Sequence, residues 1–360
     1  MLAPVNLFIH KKACLAVAVR VTAFILLPLV ASAQLPAGEG SYIERQEVQA
    51  FIDEQVGGGA EREQLESMFA QLLPDPKVLD LMEQAPERKS TWPQYRKIFI
   101  SPKRIHKGAE FIRTHSELLH RAEEEYGVPG KIIAAIMGVE TYYGDIKGKM
   151  QVARSLATLA FDYTRRSVFF RRELAAFLQL SREQGFAPLS LQGSYAGAMG
   201  YPQFMPSSYL SYAVDFNADG VIDIWHSPTD AIASIANYLR QAGDWQPGRE
   251  MIEQVEPLDV AAFANFAQGT LRPEITAAQL VSLGVTALHL PQDKKFKLIV
   301  VDSPAGTGEQ YWVGGQNFYA VTRYNINTYY AMVVSQLADL IEQKVASATR
   351  KDAPIQVETQ

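Results

Sequence analysis

Cysteine is almost absent from this 360-residue sequence, in which the single Cys14 lies close to the N-terminus. The remaining chain therefore has no thiol for a disulfide, a nucleophile or a thiolate metal site. Histidine is also scarce, with six residues, and no HExxH motif or other zinc spacing is present. A P-loop, a G-x-S-x-G motif and a dinucleotide-binding fingerprint are missing as well, so no organic cofactor is predicted.

Positive charge is in the minority, with 34 Lys and Arg against 39 Asp and Glu. Residues 1–33 hold Lys11, Lys12 and Arg20 but no acidic residue, so the rest of the chain is more acidic than the whole. Non-specific nucleic-acid binding needs a basic face, and we expect no nucleic-acid partner. The apolar content of 48% is sufficient for a packed core.

The first 33 residues have the pattern of a secretory signal peptide. Two lysines precede an apolar run that ends at Val30, and the small residues 31–33 offer a cleavage site. The alternative is a permanent membrane anchor, but Arg20 interrupts the run and leaves few apolar residues to span a bilayer. The residues before Cys14 do not resemble a lipoprotein acylation site. We therefore expect cleavage and no membrane span afterwards.

Hydrophobic spacing predicts a mainly α protein (α+β) with one small β unit. Apolar residues recur at helical spacing over 43–180, and a further helix is expected at about 230–241. Short strands are expected at 297–301, 311–313 and 318–321, because turn residues separate these apolar runs. The chain then returns to helical spacing. This order indicates a small antiparallel β domain inserted into a helical core.

Glu140 is an acidic residue in an otherwise apolar helical segment. Met137, Ile136 and Ile133 precede it by three, four and seven positions, which places its carboxyl group on the buried face. Burial raises the pKa of a carboxyl group, as a general acid working near neutral pH requires. The spacing therefore makes Glu140 a candidate catalytic residue.

The sequence also indicates where this helix begins and ends, and it leaves a structural role open for Glu140. Pro129 suits the first turn of the helix, and Gly144 suits its C-terminal cap. The alternative to catalysis is a structural ion pair between the buried glutamate and Arg165 or Arg166. Spacing alone does not decide between the two.

Two long motifs, residues 138–144 (GVETYYG) and 194–209 (SYAGAMGYPQFMPSSY), carry a family resemblance. They closely resemble the membrane-bound lytic murein transglycosylase B family (glycoside hydrolase family 103), and the similarity extends from about residue 41 to 345. The resemblance implies a goose-lysozyme-like helical core and the cleavage of peptidoglycan strands. It also implies a periplasmic location.

In this family, the glutamate that matches Glu140 is the sole catalytic carboxylate. The resemblance implies that it protonates the glycosidic oxygen between N-acetylmuramic acid and N-acetylglucosamine. It then accepts a proton from the muramyl 6-hydroxyl, which closes onto C1 and leaves a 1,6-anhydro end. Glycosidases ordinarily use two carboxylates, and here the intramolecular attack replaces the second. Asp145, the nearest acidic residue, lies off the face of Glu140 and is interpreted as a solvated loop residue.

The resemblance implies further site residues. Ser194 matches a serine that orients the catalytic glutamate, and Gln203 matches a glutamine that contacts substrate. Arg165 and Arg166 match an arginine pair that lines the cleft. Tyrosine offers a flat face to a sugar ring and a hydroxyl to its edge. The tyrosine and asparagine residues expected to line the cleft are Tyr95, Tyr238, Tyr324, Asn325 and Tyr330.

A calcium-binding loop is indicated at residues 215–230. Oxygen-bearing residues hold positions 1, 3, 5 and 9 of an EF-hand loop, and Gly220 holds position 6. Position 12 is His226 rather than the expected Glu, and the resemblance implies closure by Asp230. An Asn/Asp/Gly turn without metal is the alternative. We predict a structural Ca²⁺, which Na⁺ could replace, and no cofactor for catalysis. The expected ligands are Asp215, Asn217, Asp219, Val221 and Asp230.

The sequence therefore predicts a lytic transglycosylase that acts on peptidoglycan glycan strands. A hydrolytic muramidase on the same fold and a non-catalytic peptidoglycan-binding protein are the alternatives. By analogy with the family, proteins of cell-wall synthesis are candidate partners. In chain order we predict a signal peptide at 1–33, a linker at 34–42, an N-terminal helical region at 43–90, a lysozyme-like catalytic core at 91–251, a small β domain at 252–320, a C-terminal helix that completes the core at 321–347 and a tail at 348–360.

Overall fold

The computed structural model describes residues 40–84, 90–248, 250–285 and 293–352. The predicted signal peptide at 1–33, most of the predicted linker and the end of the predicted tail lie outside these residues. The described part is mainly helical, with fifteen α-helices and six short β-strands, as the hydrophobic spacing predicts. No helix within it is long and apolar enough to cross a membrane.

The elements are numbered in chain order. The helices are α1 (Gln46–Gly57), α2 (Arg62–Gln71), α3 (Pro76–Gln84), α4 (Trp92–Phe99), α5 (Pro102–Thr114), α6 (Ser116–Tyr126), α7 (Gly130–Thr141), α8 (Val152–Phe161), α9 (Ser167–Glu183), α10 (Pro206–Tyr212), α11 (Pro228–Gln241), α12 (Val260–Phe266), α13 (Ala277–Ser282), α14 (Gln316–Tyr324) and α15 (Thr328–Asp352). The strands are β1 (Met150–Gln151), β2 (Gln192–Gly193), β3 (Ile252–Val255), β4 (Ile275–Thr276), β5 (Lys295–Asp302) and β6 (Glu309–Gly314).

Helix α7 runs through the centre of the main core. Residues 132–139 are all buried, and the helix packs against α5, α6, α11 and α15. Pro129 is its N-cap, one residue before the first turn. Because a close-packed interior leaves little room for movement, this packing fixes the backbone that carries Glu140.

The N-terminal helices join the core through Tyr42. This residue is fully buried, and its hydroxyl donates to Asp162 and lies 3.3 Å from Thr158 Oγ1. Arg45 binds the same carboxylate at 2.6 Å. The predicted linker at 34–42 therefore extends too far, because the chain has already entered the fold at Tyr42. A single aromatic residue carries no periodic signal that would have set this boundary.

The small β domain has an antiparallel sheet in the order β3-β6-β5-β4. The predicted strands at 297–301 and 311–313 are confirmed, since they lie within β5 and β6. One face of the sheet, including Ile299 and Trp312, packs on the main core. The other face has a hydrophobic cluster of its own, formed mainly by Phe263, Leu280, Phe296, Leu298 and Val313.

The predicted strand at 318–321 is wrong. Phe318 and Val321 lie in α14, where their spacing of three residues buries both side chains. A four-residue apolar run does not by itself distinguish a strand from a helix. The β domain therefore ends with β6 rather than at residue 320, and two helices, α14 and α15, complete the core. Helix α15 continues to Asp352, so the predicted tail at 348–360 begins too early.

The chain leaves α7 through two left-handed residues, Tyr142 (φ 53°) and Tyr143 (φ 61°). The predicted cap at Gly144 is therefore wrong, because the C-cap position belongs to Tyr142. Left-handed backbone is unfavourable for residues that carry a Cβ, so the surrounding packing must hold it. The buried Tyr143 provides this packing: its hydroxyl donates to the Arg104 carbonyl at 3.0 Å, and its ring lies against Gly138.

The substitution Gly138→Ala is expected to lower the free energy of unfolding by about 1–3 kcal/mol, because a Cβ there would lie 2.5 Å from the Tyr143 hydroxyl oxygen. The matched control is Gly57→Ala at the end of α1, where a Cβ meets no atom within 4 Å and alanine favours the helix. Urea unfolding of both variants measures the difference. Equal stabilities would show that Tyr143 does not hold this loop.

Candidate active site

Glu140 lies in the last turn of α7 and is partly exposed, whereas the eight residues before it are buried. Its Oε1 accepts a hydrogen bond of 2.6 Å from the hydroxyl of Tyr330. Tyr330 lies in the first turn of α15 and is fully buried. The carboxyl group therefore has a fixed donor on its inner side, as its place on the buried face of the helix predicts.

Burial raises the pKa of Glu140 from 4.5 to about 7, and the hydrogen bond from Tyr330 acts in the opposite direction. Burial has the larger effect because the charged form loses more hydration than one phenol replaces. A carboxyl group with this pKa is present in both protonation states near neutral pH. It can therefore donate a proton in one step and accept one in the next.

The two arginines proposed as structural partners do not pair with Glu140. Arg165 is exposed, and the guanidinium of Arg166 lies 4.3 Å from the ring centre of Phe169 and 5.4 Å from that of Phe170. Among the ion pairs of the described residues, neither arginine contacts the glutamate. The structure therefore does not support the alternative of a buried ion pair.

A second buried glutamate, Glu173 on α9, has a structural role and serves as a comparison for Glu140. It accepts the backbone N–H of Ser207 at 2.9 Å and the hydroxyl of the same residue at 2.7 Å. Burial raises its pKa, and both bonds lower it. Glu173 thus caps the N-terminal turn of α10. Within the described residues, Glu140 has no such backbone partner, and it is partly open to solvent.

The residues expected to line the cleft are buried instead. They are Tyr95, Tyr238, Tyr324, Asn325 and Tyr330, each at most 3% exposed. The tyrosine rings pack on one another: Tyr324 is stacked on Tyr330 at 6.3 Å and meets Tyr238 edge-on at 4.8 Å. Their faces are therefore not open to a sugar ring, which corrects the expectation of stacking platforms. They form a rigid floor under Glu140.

Hydrogen bonds to the backbone hold this floor in place. The hydroxyl of Tyr324 donates to the carbonyl of Pro202 at 2.6 Å, and that of Tyr238 donates to the carbonyl of Arg323 at 2.7 Å. The charge of Glu140 raises the pKa of Tyr95, after the larger effect of burial, so this phenol also lies near the carboxylate. The amide nitrogen of Asn325 is buried with no hydrogen-bond partner in the described structure.

The Gly-rich stretch brings Ser194 and Gln203 into the same region. The Ser194 hydroxyl accepts the backbone N–H groups of Ala196 at 3.3 Å and Ala198 at 3.0 Å. Gln203 has a left-handed backbone (φ 50°), and its amide donates to the carbonyls of Lys147 and Gly200. Among the hydrogen bonds of the described residues, Ser194 does not reach Glu140. Its hydroxyl shapes a turn of the Gly-rich stretch, and this stretch contacts the residue after Glu140, since the hydroxyl of Thr141 lies 3.3 Å from the carbonyl oxygen of Tyr201.

Loop 215–230 folds as a compact turn. The side-chain oxygens of Asp215 and Asn217 both accept the backbone N–H of Asp219 at 3.2 Å, and Gly220 is left-handed (φ 89°). Asp230 is fully buried, and its two oxygens accept the N–H groups of Phe216 and Asp223 at 3.0 Å. Val221, the remaining expected ligand, donates its N–H to Asp219 at 2.9 Å.

The side-chain oxygens of Asp215 and Asn217 are thus directed at one backbone N–H, a turn that is compatible with the first half of an EF-hand loop. The second half differs, since Asp230 braces the loop backbone with both of its oxygens. Within the described chain, no three His, Cys, Asp or Glu side chains cluster as a metal site.

Sequence analysis did not identify Tyr330 as the direct partner of Glu140, although a signal for it exists. Tyr330 precedes Val333, Val334 and Leu337 by three, four and seven positions, which is the spacing of the buried face of α15. A tyrosine on that face must place its hydroxyl against a buried acceptor. Helix α15 packs on α7, and this contact determines which acceptor it meets.

The family comparison covers most of the chain. The Transglycosylase SLT domain matches residues 44–339. The protein named membrane-bound lytic murein transglycosylase B from Escherichia coli (strain K12) is 41% identical over 313 residues, which are 84% of this chain and 84% of that protein.

Solved structures show the same similarity. Soluble lytic transglycosylase SltB1 from Pseudomonas aeruginosa has a TM-score of 0.79 at 43% identity, over 83% of this chain and 99% of that chain. The Escherichia coli lytic transglycosylase Slt35 in complex with calcium has a TM-score of 0.77 at 38% identity, over 85% and 96%. SltB3 from Pseudomonas aeruginosa in complex with NAG-anhNAM-pentapeptide has a TM-score of 0.74 at 31% identity, over 85% and 80%.

The raised pKa of Glu140 predicts a pH-dependent effect of Glu140→Gln on stability. Between pH 4.5 and about 7, the folded protein keeps a proton that the unfolded chain has released, so stability falls as the pH rises through this window. The amide side chain that replaces the carboxyl group in this variant is uncharged at every pH. The variant should be more stable than the parent above pH 7, by about 3 kcal/mol, and the difference should disappear below pH 4.5.

Urea unfolding at pH 4, 6 and 8 tests this expectation. Glu117→Gln, at an exposed position of α6, controls for the loss of one negative charge. A stability difference that is the same at all three pH values would contradict the burial of the Glu140 carboxyl group.

Proposed function

The chain belongs to the Transglycosylase SLT domain family and is a lytic transglycosylase that acts on peptidoglycan, and we propose that Glu140 is its single general acid and base. The observation that carries the proposal is the carboxyl group of Glu140, which burial brings to a pKa of about 7 and which a buried phenol holds in place. The family resemblance of residues 138–144 supports the same assignment.

In the first step, protonated Glu140 donates its proton to the glycosidic oxygen between N-acetylmuramic acid and N-acetylglucosamine. The bond from this oxygen to C1 breaks, and the leaving sugar departs with a hydroxyl group. The hydrogen bond from Tyr330 then stabilises the carboxylate that remains, because a bond to a charged acceptor is stronger than one to a neutral acceptor. Tyr330 therefore favours the state that the second step requires.

In the second step, the Glu140 carboxylate accepts the proton of the muramyl 6-hydroxyl while O6 forms a bond to C1. The product is a 1,6-anhydro end, no water is consumed, and Glu140 regains its proton. A second carboxylate is not needed. Only burial and Tyr330 influence the pKa of Glu140, and Asp145, an exposed residue, pairs with Lys107 instead. This arrangement favours transglycosylation over the two-carboxylate chemistry of hydrolysis.

Other residues are proposed to serve substrate binding. Ser194 and Gln203 stabilise the Gly-rich turn beside Glu140 and offer a hydroxyl and an amide to sugar groups. Arg165 and Arg166 lie on a separate turn and offer positive charge to the substrate. Asn325 has a buried amide without a partner, which would gain one from the carbonyl of an N-acetyl group.

We also propose that the protein is located in the periplasm. Peptidoglycan as substrate and the signal-peptide pattern of residues 1–33 both support it.

The test of the proposed mechanism is mass spectrometry of the fragments released from peptidoglycan sacculi. Fragments lighter by one water and resistant to borohydride are expected, because the anhydro end has no free aldehyde. The variant Glu140→Gln should lose at least about 10³-fold in rate, whereas Glu173→Gln, if folded, should retain activity. Reducible ends of full mass would identify a muramidase, and release of no fragments would favour a non-catalytic binding protein.

We also propose that loop 215–230 binds a structural Ca²⁺ through Asp215, Asn217 and Asp219, with Val221 and Asp230 completing the set. The contact of the Asp215 and Asn217 oxygens with one backbone N–H supports it, and Slt35 was solved in complex with calcium. Asp230 would coordinate the ion either while it keeps its hydrogen bonds to the loop backbone or after it releases them. The ion would fix the loop between the Gly-rich stretch and α11 and take no part in the reaction.

Addition of Ca²⁺ to chelator-treated protein is expected to raise the melting temperature by about 5 °C when the ion is in large excess over its dissociation constant. Asp215→Asn should abolish this rise. Asp53→Asn, which removes an exposed carboxylate from α1, should leave it unchanged. Na⁺ at the same concentration tests selectivity, and an unchanged melting temperature with Ca²⁺ in the parent protein would refute the site.

A further inference from the structure

A cationic site lies on the wall formed by α4, α5 and the loop that follows α7. The guanidinium of Arg104 lies between two aromatic rings, 5.4 Å from the ring centre of Phe99 and 4.9 Å from that of Tyr142. The ammonium group of Lys107 lies 5.1 Å from the same Tyr142 ring. We call Arg104, Phe99 and Tyr142 the Arg104 site.

The Arg104 site is adjacent to the catalytic carboxylate. Tyr142 follows Glu140 by two residues, and its left-handed backbone turns the chain directly out of α7. On the other side, the ring of Phe99 lies 5.1 Å from that of Tyr95, whose pKa responds to the charge of Glu140. A substrate bound at Glu140 therefore has this wall as a neighbour.

The guanidinium of Arg104 is incompletely satisfied. One terminal nitrogen donates to the carbonyl of Ile98 at 2.6 Å, but Nε is buried without a hydrogen-bond partner in the described structure. Lys107 is neutralised by Asp145, whereas no carboxylate pairs with Arg104 among the ion pairs of the described residues. A cation with an unused donor is costly to bury unless a ligand supplies the missing acceptor.

Arg104, Phe99 and Tyr142 are all partly exposed, so a ligand can reach them. Guanidinium groups prefer planar carboxylates, which accept two parallel hydrogen bonds. The amino-sugar units of a glycan strand that surround the scissile bond carry no charge apart from the groups attached to the muramyl lactyl ether. The peptide attached there carries free carboxylates.

We propose that Arg104 binds a carboxylate of the peptide stem attached to the muramyl residue at the cleavage site. This inference rests on the proposed function, because it requires peptidoglycan at Glu140. The two aromatic rings hold the guanidinium in one plane, and the stem carboxylate supplies an acceptor for its second terminal nitrogen, which makes no hydrogen bond within the described residues and is not buried. The site therefore makes the enzyme bind strands with peptide carboxylates more tightly than strands whose lactyl groups end in an uncharged amide.

The test compares two soluble tetrasaccharides of alternating N-acetylglucosamine and N-acetylmuramic acid. One carries peptide stems, and the other is stem-free with its lactyl carboxyl groups capped as methylamides, because removal of a stem would otherwise expose a lactyl carboxylate. Calorimetry uses the Glu140→Gln protein, which prevents turnover. We expect it to bind the stem-bearing ligand at least about tenfold more tightly, the scale of one charge-assisted hydrogen bond. Adding Arg104→Gln should remove this preference and leave the stem-free affinity unchanged.

Two further variants separate recognition from structure. Arg104→Lys keeps the charge but not the planar donor pair, so it should restore part of the preference. Arg113→Gln removes an exposed arginine from the same helix α5 and should have no effect. Equal loss of affinity for both ligands would assign Arg104 a structural role, and the absence of any preference in the Glu140→Gln protein would overturn the proposal. Failure of the proposed function is seen separately, as the absence of anhydro products from sacculi with the parent enzyme.

Discussion

Contact between the Glu140 carboxyl group and the buried Tyr330 hydroxyl is the interaction on which the active site depends. Two opposing effects act on the same group there, because loss of hydration favours its neutral form and the phenol favours its charged form. The balance between these effects requires that α7, which carries Glu140, and α15, which carries Tyr330, are both rigid. Helix α7 is surrounded by four other helices, and α15 brings Tyr330 against it, so the surrounding core keeps the two side chains in register.

The second support of the site is the close approach of two loops that contain little side-chain volume. The strand pair β1–β2 joins the start of α8 to the Gly-rich stretch, and a Cβ at Gly148 would overlap the backbone of Gly193. This contact holds the backbone of Gly193 and Ser194 against the loop that follows α7. Glycine is required at position 148 both for space and for its left-handed backbone (φ 88°). Hydrogen bonds within the turn, such as those accepted by Ser194, then determine its shape.

Local periodicity accounts for the parts of the fold that were predicted well. The helix of Glu140 and the strands β5 and β6 have clear spacing, and the burial of Glu140 follows from three apolar neighbours on one helical face. The strand predicted at 318–321 failed because four apolar residues fit either period. The left-handed Tyr142 and Tyr143 could not be foreseen, since the packing of Tyr143 on Gly138 and α5 imposes them.

The same limit applies to the chemistry of the site. The family motifs identify which tyrosines belong to it, but a motif does not state whether an aromatic face is open or covered. Tyr238 lies in α11, far in sequence from Tyr324 and Tyr330 on the consecutive helices α14 and α15, and only their packing shows that the rings cover one another. The pKa of Glu140 likewise depends on this packing, because it sets how much water reaches the carboxyl group.

The small β domain leaves and re-enters the main core at one point. Ile252, at its start, pairs with Gly314, at its end, and the N–H of the next residue, Gly315, donates to the carbonyl of Met251 at 3.0 Å. This contact therefore places the chain that follows α11 next to the start of α14, whatever the length of the inserted domain. Such a junction allows the inserted domain to change in size or sequence during evolution without altering the helices that hold the catalytic glutamate, because longer loops add little closure entropy.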